Sequence, residues 1–498
     1  MQQALFGTET EFACAGDFDP VRAASMVKSQ VFATGELGII DPAPREWGET
    51  PGNGGFLFNG GRLYVDSGHI EWATPECRTL RGLVAQEVAG ERVLLEALNQ
   101  LEYRSKIFFI KNNSDYFGHT YGYHENYCLE HSPRRPEVVR ALMPFLVTRQ
   151  LYAGAGLLFP SSKEGDFSYQ LAQRSAFVEV DLSHRVRFGG RPIINLRDET
   201  LGARRRLHVI CGDANRSETA TALKIGSTAL VAQMADSGWA PEFDLTDAVL
   251  DMRRIARNIE GAWSVSTFEH GEMPALAVQR VYLGEAERRF AGRDEDTDWT
   301  LLNWGKVLRL LEDDLMGLSG IVDWVTKLEL LRSFADDSPL GWADRDLCKV
   351  ELAYHHIDPL VSLYSTLKER EDIGVLVPEG HIAQAVHEPP QGTRALARGA
   401  IVRSLVENRA DTLIPWRNLR QGLGELTVWD SNFYLAYQYV EDPRDLNASG
   451  LWDIIPYLID WSSVGVRGHI LEMPDPFERY EAEALEFADR IPAILGEG

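Results

Sequence analysis

The chain has 498 residues, of which 44% are hydrophobic and 25% charged, with a formal charge of -24. That is enough apolar material for two or three average domains or for one large α/β core with an appendage, and so acidic a chain argues against nucleic-acid or anionic-membrane binding, which rest on a positive field meeting phosphates. Five scattered cysteines, Cys14, Cys77, Cys128, Cys211 and Cys348, form no C-x-x-C pair, Glu9 arrives before any leader-like apolar segment, and no run approaches a membrane span, so a cytoplasmic protein is expected.

The first strand candidate, Phe6-Gly7-Thr8-Glu9-Thr10-Glu11-Phe12, places Glu9 and Glu11 on one face, because successive side chains in a strand alternate. Apolar periodicity predicts a helix around residues 21–32, and the Pro/Gly-rich segment 41–55 reads as a loop. It leads to Arg62-Leu63-Tyr64-Val65-Asp66, whose alternation sets Arg62, Tyr64 and Asp66 against Leu63 and Val65. His69 and Glu71 alternate along the next strand, with Glu76 a little beyond. Helical spacing over 78–101, strand character over 106–111 and 121–129, and helical character over 136–152 complete a mixed first section.

Between 167 and 210 three more strands are expected, around Tyr169, over 177–182 and over 207–210, followed by a helix from Glu218 to Ser237 with Ser217 at its N-cap. The order favours an α+β sheet with helices on one face. Residues 243–371 read as almost wholly helical scaffold, with Trp299, Trp304 and Trp324 among the apolar positions and Lys327 at the edge of a stripe. The double proline in Glu388-Pro389-Pro390-Gln391-Gly392 breaks helix continuation and marks a boundary, giving a large domain over 1–388 and a small one over 389–498.

Carboxylates beside an arginine on a sheet face suit Mg²⁺ and the phosphates it carries, since the cation neutralises the acids and the guanidinium grips a phosphate in two places. Glu9, Glu11, Asp66 and Glu71 with Arg62 and Tyr64 therefore read as a metal and ATP cradle, the other reading being solvated strand-edge charges. Gln173-Arg174, Asn195 with Arg197, and Arg204-Arg205-Arg206 with His208 concentrate guanidiniums on successive strands; Arg206 and His208 share a face that suits a polyphosphate or an acidic peptide, or else ordinary surface ion pairs. Lys111-Asn112-Asn113 and His124-Glu125-Asn126-Tyr127 form a second polar group, His124 reading equally as a core histidine. Cys128 stands where H-E-x-x-H needs its second histidine, and no Walker A, complete G-x-G-x-x-G or G-x-S-x-G motif occurs.

Taken together, GTETEF, NGGRLYVD, KNNSD, YGYHENY, PFLVTRQL, QRS, RPIINLRDE, RRLHVICGDAN followed by SET, DWVTK and PPQGTRA resemble the Pup ligase and Pup deamidase/depupylase family, relatives of glutamine synthetase among the carboxylate-amine ligases. The resemblance implies a glutamine-synthetase-like large domain, a curved and mainly antiparallel sheet cradle packed by helices, with a small C-terminal domain. It implies Glu9, Tyr64 and Glu71 as Mg²⁺ ligands, Arg62 and Thr74 as ATP contacts, Asp66 as the catalytic aspartate and Trp416 as a nucleotide contact, Trp416 reading otherwise as a small-domain core residue. It further implies Mg²⁺ and ATP, or ADP with phosphate, as cofactors, Pup or a Pup-like acidic protein and pupylated proteins as partners, and a functional link to a bacterial proteasome. Asp66 and Glu71 are separated by Ser-Gly-His-Ile, which resembles the depupylase spacing, as do AQRSAFVEVDL, FDLTD, AVQRVYL and GDAN; the segment between Glu11 and Asn59 is too short for the long depupylase insertion. The expectation is hydrolysis of the C-terminal glutamine amide of Pup or of the Pup–lysine isopeptide bond. A ligase, a divergent paralogue with another substrate and a non-catalytic nucleotide-dependent adaptor are the alternatives.

Overall fold

A computed structural model describes residues 4–42, 51–160, 167–184, 190–201, 204–414, 452 and 455–496. The elements run β1 (Phe6–Gly16), α1 (Pro20–Ala33), β2 (Gly38–Ile40), β3 (Gly54–Leu57), β4 (Arg62–Asp66), β5 (His69–Ala73), α2 (Leu80–Gln100), β6 (Ile107–Ile110), β7 (Tyr123–Leu129) and α3 (Pro136–Ala153). There follow β8 (Leu157–Pro160), β9 (Phe167–Gln170), β10 (Val180–Ser183), β11 (Pro192–Leu201), β12 (Arg204–Val209), α4 (Glu218–Asp236), α5 (Ala248–Arg257), β13 (Ser264–Thr267) and β14 (Gly271–Pro274). Then come α6 (Ala275–Phe290), α7 (Glu295–Asp313), α8 (Asp323–Asp337), α9 (Leu347–His355), α10 (Leu363–Glu369), α11 (Glu379–His387), α12 (Ala395–Glu407), β15 (Tyr457–Ile459), β16 (Ser463–Val466), β17 (His469–Glu472) and α13 (Glu481–Gly496).

The main sheet has the order β10-β11-β12-β7-β1-β5-β4-β3-β2, with β6 pairing the far end of β1. Only β10 and β11 run parallel; the other pairs are antiparallel. Alternation decides its two faces. Phe6, Thr8, Thr10 and Phe12 of β1 are buried, as are Tyr123, Glu125, Tyr127 and Leu129 of β7, while Glu9, Glu11, His124 and Asn126 point to the opposite, partly open face. Helices α2, α3 and α4 cover the buried face and, with α6 to α8, enclose one core that contains Trp72, Phe145, Tyr282, Trp304 and Trp324. Caps start two of them: Thr79 accepts from the Gly82 N–H at 3.1 Å and Ser217 from that of Ala220 at 3.2 Å, each satisfying a first-turn donor.

A second core packs α12, β15, β16 and α13, through Ile401, Leu405, Tyr457, Val464 and Ile491. Ile39, Phe56 and Phe58, from the beginning of the chain, belong to it as well. Among the described residues no helix is long and apolar enough to cross a membrane.

The structure corrects the sequence reading at several places. Residues 243–371 hold the β13–β14 hairpin as well as helices. The strand expected over 177–182 is present as β10, which starts later, at Val180, after a 3₁₀ turn over Arg174–Phe177, and β8 and the full length of β11 exceed the expected strands. Lys327 is fully buried rather than at a stripe edge, because its three donors are taken by Gly156 O at 2.6 Å, Glu351 Oε1 at 2.7 Å and His355 Nε2 at 2.9 Å.

Behind the open face, buried charges hold β7 in place. Arg149 of α3 donates to both oxygens of Glu125 at 2.7 and 2.6 Å, and Tyr127 donates to the same carboxylate at 2.6 Å. Burial alone would raise the Glu125 carboxyl, but Arg149 outweighs it and holds it below its ordinary value. Removing one partner strands the other charge in the core. Arg149→Met is expected to cost about 3–5 kcal/mol in chemical denaturation, and the double variant Glu125→Gln/Arg149→Met distinctly less, since no uncompensated charge then remains.

Candidate functional site

Side chains at strand spacing converge on the open face at the middle of the sheet. Register sets Glu11 opposite Glu71, Tyr64 opposite Glu71 and Asp66 opposite His69. The β4–β5 connection is two residues long, with Ser67 and Gly68 at φ 49° and 94°, the left-handed pair that closes a tight hairpin. It leaves Asp66 at the very end of its strand. Oxygens of Glu11, Asp66 and Glu71 lie within 4.8 Å of one another. Gly122 lies beneath them, where a Cβ would meet Glu11 Oε1 and His124 Nε2 at 2.6 Å each and shift those side-chain ends.

Crowding sorts these acids by charge. Burial, then Glu11 and Glu9, push the Glu71 carboxyl well above its ordinary value, against a hydrogen bond from the Tyr64 hydroxyl. The Tyr64 phenol is pushed up in turn by burial and by Glu71. Glu9 goes the other way. Burial would raise it, but Arg206 at 2.8 Å, His124 at 3.0 Å and Asn126 at 3.2 Å surround its carboxylate with donors and hold it well below the usual range. Arg206 also donates to Asn126 Oδ1 at 2.7 Å and to Glu199.

His208 sits 3.7 Å from Glu9 through Nε2. Asn195 Oδ1 accepts from the Arg197 N–H at 3.0 Å, so its amide nitrogen is the one that faces His208 Nδ1 at 3.2 Å, and the hydrogen-bond network assigns the proton of neutral His208 to Nε2. Burial and Arg206 keep the ring neutral. His208 thus presents a donor, not a lone pair, to this site.

Arg62 is 7% exposed, with its guanidinium 4.4 Å over the Tyr64 ring and 3.9 Å from Asp41. Its Nε and Nη2 have no hydrogen-bond partner among the described residues. A buried guanidinium with orphaned donors beside a group of acids fits a phosphate, and an all-oxygen set of carboxylates with a phenol fits a hard divalent cation.

Next to Glu9 a cleft opens, lined by Leu5, Phe6, Thr8, Thr74, Arg206, Arg394 and Trp461 among others. Thr74 Oγ1 accepts from the Thr8 N–H at 2.9 Å at its wall. Trp416 lies outside the described residues; among the described residues Trp461, which follows β15 and which sequence reasoning passed over, lines the cleft. Also passed over was the role of Glu76, which accepts from Arg394 Nε at 2.7 Å and from Arg398 Nη2 at 2.5 Å. Arg398 reaches on to Trp461, donating to its carbonyl at 2.7 Å with the guanidinium 4.7 Å over its ring. These partners are more than three hundred residues apart in sequence, so nothing local announces them.

The Pup-ligase protein family model matches residues 4–420. The chain is 38% identical over 355 residues to a depupylase of Acidothermus cellulolyticus, covering 69% of this chain and 70% of that protein. It is 34% identical over 437 residues to a Pup–protein ligase of Nocardia farcinica, covering 84% and 94%. Among solved structures it is similar to the complex between the prokaryotic ubiquitin-like protein Pup and its ligase PafA, with a TM-score of 0.78, 28% identity and coverage of 99% and 93%. The Pup ligase PafA in complex with ADP matches with a TM-score of 0.70, 31% identity and coverage of 89% and 90%.

Burial would raise Glu76, but Arg398 and Arg394 hold it down at about 2, against an ordinary value near 4.5. A carboxyl depressed in the folded state stabilises the fold above its unfolded value, and that contribution is lost as pH falls through the folded one. Wild type is therefore expected to exceed Glu76→Gln by about 3 kcal/mol near neutrality. Denaturation series should show this gap constant above pH 5 or so, closing as pH falls from about 4.5 toward about 2.

Proposed function

The chain belongs to the Pup-ligase family, and from that premise we propose that it is a Mg²⁺- and nucleotide-dependent enzyme of the depupylase type, hydrolysing the side-chain amide of a C-terminal glutamine of Pup or the isopeptide bond between Pup and a lysine. The observation that carries the reading is the Asp66–Glu71 hairpin: its two-residue turn sets Asp66 on the face of Tyr64 and Glu71 with the spacing that resembles the depupylase branch. The depupylase of 38% identity supports it.

Glu9, Tyr64 and Glu71 would hold Mg²⁺, with Glu11 beside them, and Arg62, Thr74, Arg206 and His208 would face the nucleotide. The bound metal supplies Lewis-acid charge neutralisation. Asp66 serves as nucleophile at the side-chain carbonyl: the amide C–N bond breaks, ammonia or the lysine amine leaves with a proton, and water then cleaves the acyl–aspartate, regenerating the Asp66 carboxylate and leaving a glutamate. Used instead as a base toward water, Asp66 gives the same products. A domain division at 388/389 goes with this scheme, the second core being built mainly from residues after it and joined by Ile39, Phe56 and Phe58 from before it, and the acidic, cysteine-poor chain goes with a reaction in the cytoplasm.

A ligase is the second reading, favoured by the ligase relative that covers 84% of the chain and 94% of its own length. There the C-terminal glutamate of Pup is phosphorylated by ATP, and Asp66 removes a proton from the incoming lysine amine, which displaces phosphate.

Intact-mass spectrometry after incubation with Mg²⁺-ATP separates the two. Glutamine-ending Pup is expected to lose one ammonia, and a pupylated protein to release Pup, with both reactions stopped by EDTA and reduced about 10³-fold or more in Asp66→Asn. Formation of a new conjugate from glutamate-ending Pup and a lysine acceptor, with no loss of ammonia from the glutamine form, overturns the hydrolase in favour of the ligase.

A further inference from the structure

Between β6 and β7 the chain makes a short excursion whose base lies in the site. The Glu11 N–H donates to Gly122 O at 3.1 Å, and the Tyr121 ring packs 4.8 Å from that of His69, the register partner of Asp66. From this base the segment rises as a miniature hairpin, with Ser114 bridged to Thr120 and the Tyr121 N–H donating to Asn113 O at 3.0 Å. Its tip is firmly built. Asp115 Oδ1 accepts from the N–H groups of Phe117 and His119 at 2.9 Å each, while Oδ2 meets His119 Nδ1 at 2.6 Å and the Tyr121 hydroxyl at 3.4 Å. Gly118, at φ 89°, supplies the left-handed residue that the reversal needs. Tyr116 is pinned inward, its hydroxyl donating at 2.5 Å to Glu351, the carboxylate that also holds buried Lys327. With Tyr116 held inside and the turn fixed by Asp115, Phe117 is left outside, 87% exposed.

An aromatic side chain displayed on a backbone that is already ordered gains its full burial on a partner and costs little further ordering. The chemistry around it selects the partner. Residues 112–123 contain no Lys or Arg, and Arg174, which adjoins them, is spent on Thr120 Oγ1 at 2.8 Å and Tyr121 O at 3.0 Å. An acidic chain such as Pup is recognised by cations, which this tip does not offer. Nor does the tip stand at the nucleotide cleft, which lies along Leu5 to Glu9, whereas Tyr121 packs beyond Glu11, on Ala13. What the tip fits is an apolar patch on the surface of a folded protein.

Resting on the depupylase reading above, we infer that Phe117 is a specificity-determining contact for the protein that carries the Pup-linked lysine, seating on an apolar patch of that protein while Asp66 meets the isopeptide bond. Phe117 touches neither Pup nor nucleotide.

The test is steady-state kinetics of the whole chain with Mg²⁺-ATP on three substrates that present the same side-chain carbonyl: glutamine-ending Pup, Pup joined to free lysine, and Pup joined to a folded protein. Only the third brings a protein surface. In Phe117→Ser the KM for the protein conjugate is expected to rise about tenfold or more, the loss of one buried aromatic side chain, with its kcat and both constants for the other two substrates within about twofold of wild type. Phe117→Leu, which keeps an apolar tip, is expected to restore most of the loss, and Phe268→Ser, which removes another exposed phenylalanine at the β13–β14 turn, to change none of the three. An unchanged KM for the protein conjugate in Phe117→Ser overturns the inference. An equal loss on all three substrates, in a variant that melts like wild type, overturns the choice of partner and sets Phe117 against Pup. A wild-type protein that cleaves none of the three overturns the hydrolase reading on which the inference rests.

Discussion

Like charges confined to one face of a strand are the constraint on which this architecture depends. Alternation along β1 forces Glu9 and Glu11 to the same side, and the neighbouring strands add Glu71, Tyr64 and Asp66. Burial makes charge costly on both Glu9 and Glu71. The fold divides the burden. Glu9 is held low by donors from β7 and β12, and Glu71 is pushed up by burial and its acidic neighbours while accepting from a phenol. A dication held there would pull the Glu71 carboxyl back down by offsetting the repulsion of its acidic neighbours.

Such a face stays in register only if the strands beneath it cannot slip, and the buried side of the sheet sees to that. A one-residue shift of β7 would carry His124 and Asn126 into the core and expose Glu125, which is locked to Arg149 with no solvent exposure of its carboxylate. Lys111 is held likewise, by Glu87 at 2.9 Å with Glu91 at 3.6 Å. The same residues that looked in sequence like a second functional group, Lys111 and Glu125, are thus structural partners of helices α2 and α3, and only His124 and Asn126 face the site.

What was legible in the sequence is what strand and helix periodicity controls. Glu9, Glu11, Arg62, Tyr64, Asp66 and Glu71 sit on one face because period-two alternation is a local property, and the helices α1 to α4 fall close to their expected spans for the equivalent reason at period 3.6. β11 was less legible: its outer half, Arg197 to Thr200, is polar, and it is a strand because β12 pairs with it through a register shift. Lys327 was misread because burial of a lysine depends on acceptors from α9 and from the segment before β8, none of them near it in sequence. Trp461 and Arg398 were passed over for a related reason. Their roles arise when the C-terminal sheet docks on the residues after β5, which nothing local to either residue announces.

That docking separates the labours of the two cores. The C-terminal elements contribute Trp461 and the Arg398 partner of Glu76 to the cleft, whereas the group Glu11, Asp66 and Glu71 is drawn wholly from β1, β4 and β5. Asp66 needs nothing from the C-terminal sheet to be placed, since its position follows from a two-residue turn and its register against His69. Under the proposed reading, an aspartate so placed can attack a carbonyl or take a proton from an amine, so the placement of Asp66 suits a hydrolase and a ligase alike, and it is the spacing of the hairpin that favours the first. The difference between those outcomes then lies in which group is delivered to Asp66, a water or an amine, and in whether the cleft delivers a phosphoryl group to the same carboxyl.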